Sequence, residues 1–182
     1  MSRPERWFLG FSPLLFAGCW NPFNPPQEPG TGYPLPLTDS IVFQNLQAAY
    51  VSLDLEGYMS CLDDSFKFYF DPGEEGILEL LKNNWGLDSL VWGRTEERLS
   101  AQTLFDYIKT SEGGSLDLTL SQLRRVRGDD TSSLWICDYY LVIEPPPEEG
   151  SSVAEGRARF TMRKQRDTGF WYIIRWEDFG GS

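Results

Sequence analysis

The chain has 182 residues, 41% of them hydrophobic, and a formal net charge of −11. That length supports one globular domain, and the acidic balance argues against nucleic acid and against charge-driven binding to anionic lipid. There is no histidine and there are only three cysteines, which excludes Ser-His-Asp and Cys-His nucleophile systems, histidine acid–base chemistry and the usual structural zinc sites.

Residues 1–18, MSRPERWFLGFSPLLFAG, set Arg3 and Arg6 ahead of a greasy run from Trp7 to Phe16, with small Ala17 and Gly18 after it. Pro13 interrupts the run, which is shorter than the about 20 residues that a bilayer span needs. A positive start, a short apolar run and small residues at the exit predict a signal peptide. Ala17-Gly18-Cys19 resembles the lipobox of bacterial lipoproteins. The resemblance implies lipidation of Cys19 as the mature N-terminus, a place in the bacterial cell envelope and membrane attachment through lipid alone. Trp20 stands where enterobacterial sorting reads an aspartate as an inner-membrane signal, so the resemblance points to the outer membrane.

Residues 19–37 read as a tether, because six of the twelve prolines fall between Trp20 and Pro36. Such a segment builds no core, and at about 3.1 Å per residue it spans roughly 50 Å. Residues 38–182 form the folded domain. Thr38 or Asp39 caps a helix in which Ile41, Val42, Leu46, Ala49 and Tyr50 recur at helical spacing. Asp54 caps a second helix with Leu55, Tyr58, Met59 and Leu62 on one side. Asp63-Asp64 reads as a solvated turn. From Phe66 to Phe70 the period drops to two, which makes a strand with Phe66, Phe68 and Phe70 on one face. Residues 74–84 and 95–108 are predicted helical. Ser115–Leu120, Leu134–Ile143, Val153–Gln165 and Phe170–Trp176 follow as strands at hairpin distances. The expected fold is α+β, with N-terminal helices packed on a curved antiparallel sheet.

Two stretches carry a resemblance to a known superfamily: LQAAYVSLDLEGYMSCLDDSFKFYF and GRARFTMRKQRDTGFWYIIRWED. They resemble the opening and the closing hairpin of the cone-shaped nuclear transport factor 2-like proteins, among them ketosteroid isomerase and SnoaL-like proteins. The resemblance covers roughly residues 38–179 and implies a fold rather than a chemistry.

Carboxylates and tyrosines are the chemistry that remains. Ketosteroid isomerase-like enzymes use an Asp base with Tyr and Asp oxyanion donors inside an apolar cone, which makes Asp138 and Tyr140 worth placing. Strand parity turns Trp135, Cys137, Tyr139, Leu141 and Ile143 toward the core and leaves Asp138 and Tyr140 outside, so no catalytic residue is assigned. On the next strand Ala154, Gly156, Ala158, Phe160 and Met162 face in, while Arg157, Arg159 and Arg163 face out. That arginine row reads as cross-strand pairing with acids such as Asp138, or as a docking face for an anionic partner. A pocket between sheet and helices is expected, lined by Phe66, Phe68, Phe70, Tyr139 and Phe160 rather than by charge. Cys61 and Cys137 are expected to be buried free thiols. No metal or cofactor is called for. The reading is a lipid-anchored envelope protein whose domain binds a small apolar ligand or another envelope protein without turnover. The alternative is a carboxylate-dependent isomerase or lyase.

Overall fold

The computed structural model describes residues 32–180, apart from 75, 112 and 145–149. The signal peptide expected at residues 1–18, Cys19 and the expected tether up to residue 31 lie outside the described residues. Four helices and six strands follow in the order α1 (Asp39–Val51), α2 (Leu55–Ser60), β1 (Leu62–Tyr69), α3 (Ile77–Trp85), β2 (Val91–Gly93), α4 (Arg94–Thr110), β3 (Ser115–Gly128), β4 (Ser132–Glu144), β5 (Ser152–Lys164) and β6 (Trp171–Asp178). The strands make one sheet in the order β2-β1-β6-β5-β4-β3.

The helices form where apolar residues recur three or four apart. In α1 these are Val42, Phe43, Leu46 and Ala49, all buried. In α4 the inward stripe runs Glu97, Ala101, Phe105 and Ile108, so a carboxylate takes a core position. Asp54 caps α2 by accepting the Gly57 N–H at 3.1 Å, and Glu96 reaches back to accept the Gly93 N–H ahead of α4 at 2.8 Å. The core lies between these helices and the inner face of the sheet. There Phe43 meets Phe160 edge-to-face at 5.3 Å and Phe160 meets Trp176 at 4.6 Å.

The sheet is mixed rather than wholly antiparallel, because β1 lies parallel to β6 while every other pair is antiparallel. β1 begins at Leu62, so Asp63 belongs to a strand and not to a solvated turn. Asp63 is buried because Ser65 Oγ and Arg163 donate to it at 2.6 and 3.2 Å, which offsets the cost of its burial. Residues 91–93 form a short strand against β1 that three residues are too few to announce by period.

β3 extends well past Leu120, to Gly128. It is an edge strand with bulges between Ser121 and Arg124 and between Arg125 and Arg127, and Gln122 takes φ of 51° there. Across its free side Gln47 of α1 donates to the Leu118 carbonyl at 3.3 Å. The last residues of the proline-rich segment pack on the domain: Asn45 donates to the Pro34 carbonyl and the Trp171 N–H to the Pro36 carbonyl, each at 2.8 Å.

Candidate functional site

Between the sheet and the helices lies a cavity of about 210 Å³. Every element except α3 contributes to its wall: Tyr50 from α1, Tyr58 from α2, Phe68 from β1, Trp92 from β2, Glu97 and Ser100 from α4, Leu118 from β3, Tyr139 and Leu141 from β4, Ala154 from β5, and Trp176 and Asp178 from β6. Ala154 makes room, since its small side chain stands on an inward position of β5 where Phe160 fills the core further along.

Two carboxylates reach this space, each held by neutral donors. Tyr58 Oη donates to Glu97 Oε1 at 2.5 Å, and Trp92 Nε1 donates to Glu97 Oε2 at 2.9 Å. Burial raises the pKa of Glu97, and the two donors only partly oppose it. Burial also pushes the Tyr50 and Tyr58 hydroxyls up, with the nearby Glu97 charge adding to the effect. At the other side of the cavity Tyr139 Oη donates to Asp178 Oδ2 at 3.2 Å, and the Gly180 N–H donates to Asp178 Oδ1 at 3.1 Å. Burial, then the Asp178 charge, raises the Tyr139 hydroxyl as well. Tyr58 and Tyr139 therefore stay protonated as donors at any ordinary pH.

Of the residues expected in the pocket, Phe68 and Tyr139 line it. Phe66 and Phe160 are fully inside the core at 1% and 0% exposure. Phe70 stands just past β1 and braces the wall from behind, 4.7 Å from both Phe68 and Trp92. The expectation of a wall without charge is corrected by Glu97 and Asp178. Glu97 was legible as the one polar residue on the buried stripe of α4. Asp178 was legible only once β6 is paired to β5, which sets it across from Ala158.

Asp138 and Tyr140 do not line the cavity. Arg157 Nε donates to Asp138 Oδ1 at 3.3 Å on the outer face, and Tyr140 is exposed. The other outward arginines are answered too, Arg159 by Glu177 at 3.6 Å and Arg163 by Asp63 at 3.2 Å. Cys61 and Cys137 are buried thiols; the Cys61 thiol donates to the Gly57 carbonyl at 3.5 Å, and burial pushes the Cys137 thiol up to about 12. Among the described residues no group of three or more Cys, Asp or Glu is placed to hold a metal ion.

No family model matches the chain, and no curated protein matches it. Solved structures do. A scytalone dehydratase-like protein from Novosphingobium aromaticivorans superposes with a TM-score of 0.60 at 10% identity, covering 79% of this chain and 81% of its own. An NTF2-like protein of unknown function in nutrient uptake from Rhodospirillum rubrum gives 0.56 at 13% identity, covering 79% and 98%. The beta subunit of benzoate 1,2-dioxygenase from Burkholderia mallei gives 0.57 at 10% identity, covering 76% and 85%. Identities this low carry the architecture and no activity. On its element order, its sheet topology and these likenesses, the domain has the cone fold of the nuclear transport factor 2-like proteins.

Proposed function

We propose that this is a lipid-anchored protein of the bacterial cell envelope, held through Cys19 in the outer membrane, whose cone domain binds a small molecule with an apolar body and does not turn it over. The observation that carries the binding is the aromatic cavity itself, concave, mostly apolar and supplied with a few fixed polar groups. The anchor rests on the Ala17-Gly18-Cys19 junction and the proline-rich stretch behind it. No helix of the described residues is long and apolar enough to cross a membrane, which is compatible with attachment by lipid. Binding without turnover is the reading we favour because the chain has no histidine for acid–base work.

Trp92 and Trp176 line the cavity, so tryptophan emission of the full chain in mild detergent reports occupancy. Titration with a panel of small apolar and amphipathic molecules should give at least one saturable change, abolished in Ala154→Trp, which fills the space. No saturable change with any member overturns the reading and turns attention to the outer sheet face as a protein-docking surface. For the anchor, the mature N-terminus made in a bacterium should carry the mass of a lipidated Cys19; an unmodified chain starting at Met1 refutes it.

The Tyr58–Glu97 pair supports a second reading, a carboxylate-dependent isomerase or lyase. A carboxyl with a raised pKa inside a cavity is suited to proton transfer. Turnover of a bound molecule that disappears in Glu97→Gln, with binding retained, would establish it in place of the first.

A further inference from the structure

We propose that the molecule taken into this cavity is a small organic cation, an amine or quaternary ammonium with apolar substituents. The inference rests on the reading of the cavity as a binding site and adds the charge of what it binds. Six aromatic side chains wall the space, Tyr50, Tyr58, Phe68, Trp92, Tyr139 and Trp176, and among the described residues no lysine or arginine lines it. Aromatic rings present a negative face, and a box of them is the physical means by which proteins hold ammonium groups.

The two acids strengthen the case by the company they keep. The two other carboxylates that are fully buried among the described residues, Asp39 and Asp63, are each answered by an arginine. Among the described residues Glu97 and Asp178 are answered by a tyrosine hydroxyl, an indole N–H or a backbone N–H and by no arginine or lysine. Such donors fix a carboxylate in place and leave its charge uncancelled. An anion entering here meets two acids and no cation. A neutral molecule gains at most a hydrogen bond from them. A cation gains from both acids and from the rings, in a space partly withdrawn from water, where these attractions are strongest. The net charge of −11 draws cations toward the domain as a whole. The volume, about 210 Å³, equals roughly seven waters at liquid density, which suits a head group with a short apolar arm.

The test uses matched pairs on the full chain: choline against 3,3-dimethylbutan-1-ol, and benzyltrimethylammonium against neopentylbenzene, each pair differing by nitrogen for carbon. Calorimetry or tryptophan emission should show at least one cation binding about tenfold or more tighter than its neutral partner. Asp178→Asn keeps the shape and leaves an oxygen for Tyr139. It should remove most of that preference and spare the neutral partner, and Glu97→Gln should do the same. Equal affinities within both pairs, or a cation preference intact in both variants, overturn the charge inference while the cavity remains a binding site. No binding of any of the four, in a chain that also fails the apolar panel, removes both.

Discussion

Glu97 joins two hydroxyl- and indole-bearing walls of the cavity, and its removal strands both donors. Glu97→Leu should cost about 2–6 kcal/mol in denaturant unfolding, because Tyr58 Oη and Trp92 Nε1 each lose a partner at about 1–3 kcal/mol. The pH dependence follows from the upward shift. A carboxyl whose native pKa lies above its ordinary 4.5 binds protons more tightly folded than unfolded. Its contribution to stability is therefore fully present below about 4.5 and lost as pH rises through the native value. Glu97→Gln, which does not titrate, should gain on the wild type as pH rises from 4 to 7, by urea midpoints; a parallel pair of curves would show that the carboxyl is unshifted. Gly156 is the second residue on which the site depends. A Cβ there would sit 2.8 Å from the Gly180 carbonyl oxygen and 2.9 Å from Tyr139 Oη, so Gly156→Ala should displace the donor of Asp178 and cost about 1–3 kcal/mol. Gly156 did not declare its role in the sequence, and Glu97 did so only through the helical stripe. Glu97 sits at helical spacing from Ala101 and Phe105, yet a glutamate beside Glu96 looks like one more solvated acid until the stripe is drawn. Gly156 looks like one small inward residue among several.

At the scale of elements, the hairpin from β3 to β4 depends on one aspartate. Asp129 Oδ1 accepts the Thr131 N–H at 2.7 Å and the Ser132 N–H at 2.8 Å, and these bonds hold its carboxyl down to about 2. A lowered carboxyl contributes stability above its ordinary 3.8 and loses it as pH falls through about 2. Asp129→Ala should speed amide exchange at residues 128–133 at neutral pH, with less difference from the wild type near pH 2. Asp54→Ala, which removes the cap of α2, should cost about 1 kcal/mol. Strands with a clean period were legible: Leu116, Leu118 and Leu120 alternate with polar residues, and so do Ala158, Phe160 and Met162. The rest of β3 was not, because Ser121–Gly128 is exposed along its whole length and has no buried side to set a period. The parallel pairing of β1 with β6 was hidden too, since it joins residues about a hundred positions apart and leaves no local mark.

For the whole molecule, the thiols offer a count that links fold to processing. Cys61 and Cys137 are buried, and a thiol pushed up to about 12 is not a nucleophile at neutral pH. Alkylation of the native, unreduced protein at pH 8 should proceed no faster than unfolding. In denaturant two groups should react if Cys19 carries lipid and three if it does not; a count of none or one would show a disulfide that the structure does not contain.

The amide of Gln47 on the Leu118 carbonyl has a consequence for how copies of this protein behave in a crowd. An open sheet edge invites strand addition by a neighbour. The first half of β3 is guarded by a helix that takes one of its edge carbonyls. The second half is bent by two bulges and studded with Arg124, Arg125 and Arg127. The polymerisation that a flat fourteen-residue border would permit is thus blocked twice over. Gln47→Ala combined with repair of the bulges should make the domain assemble into fibrils.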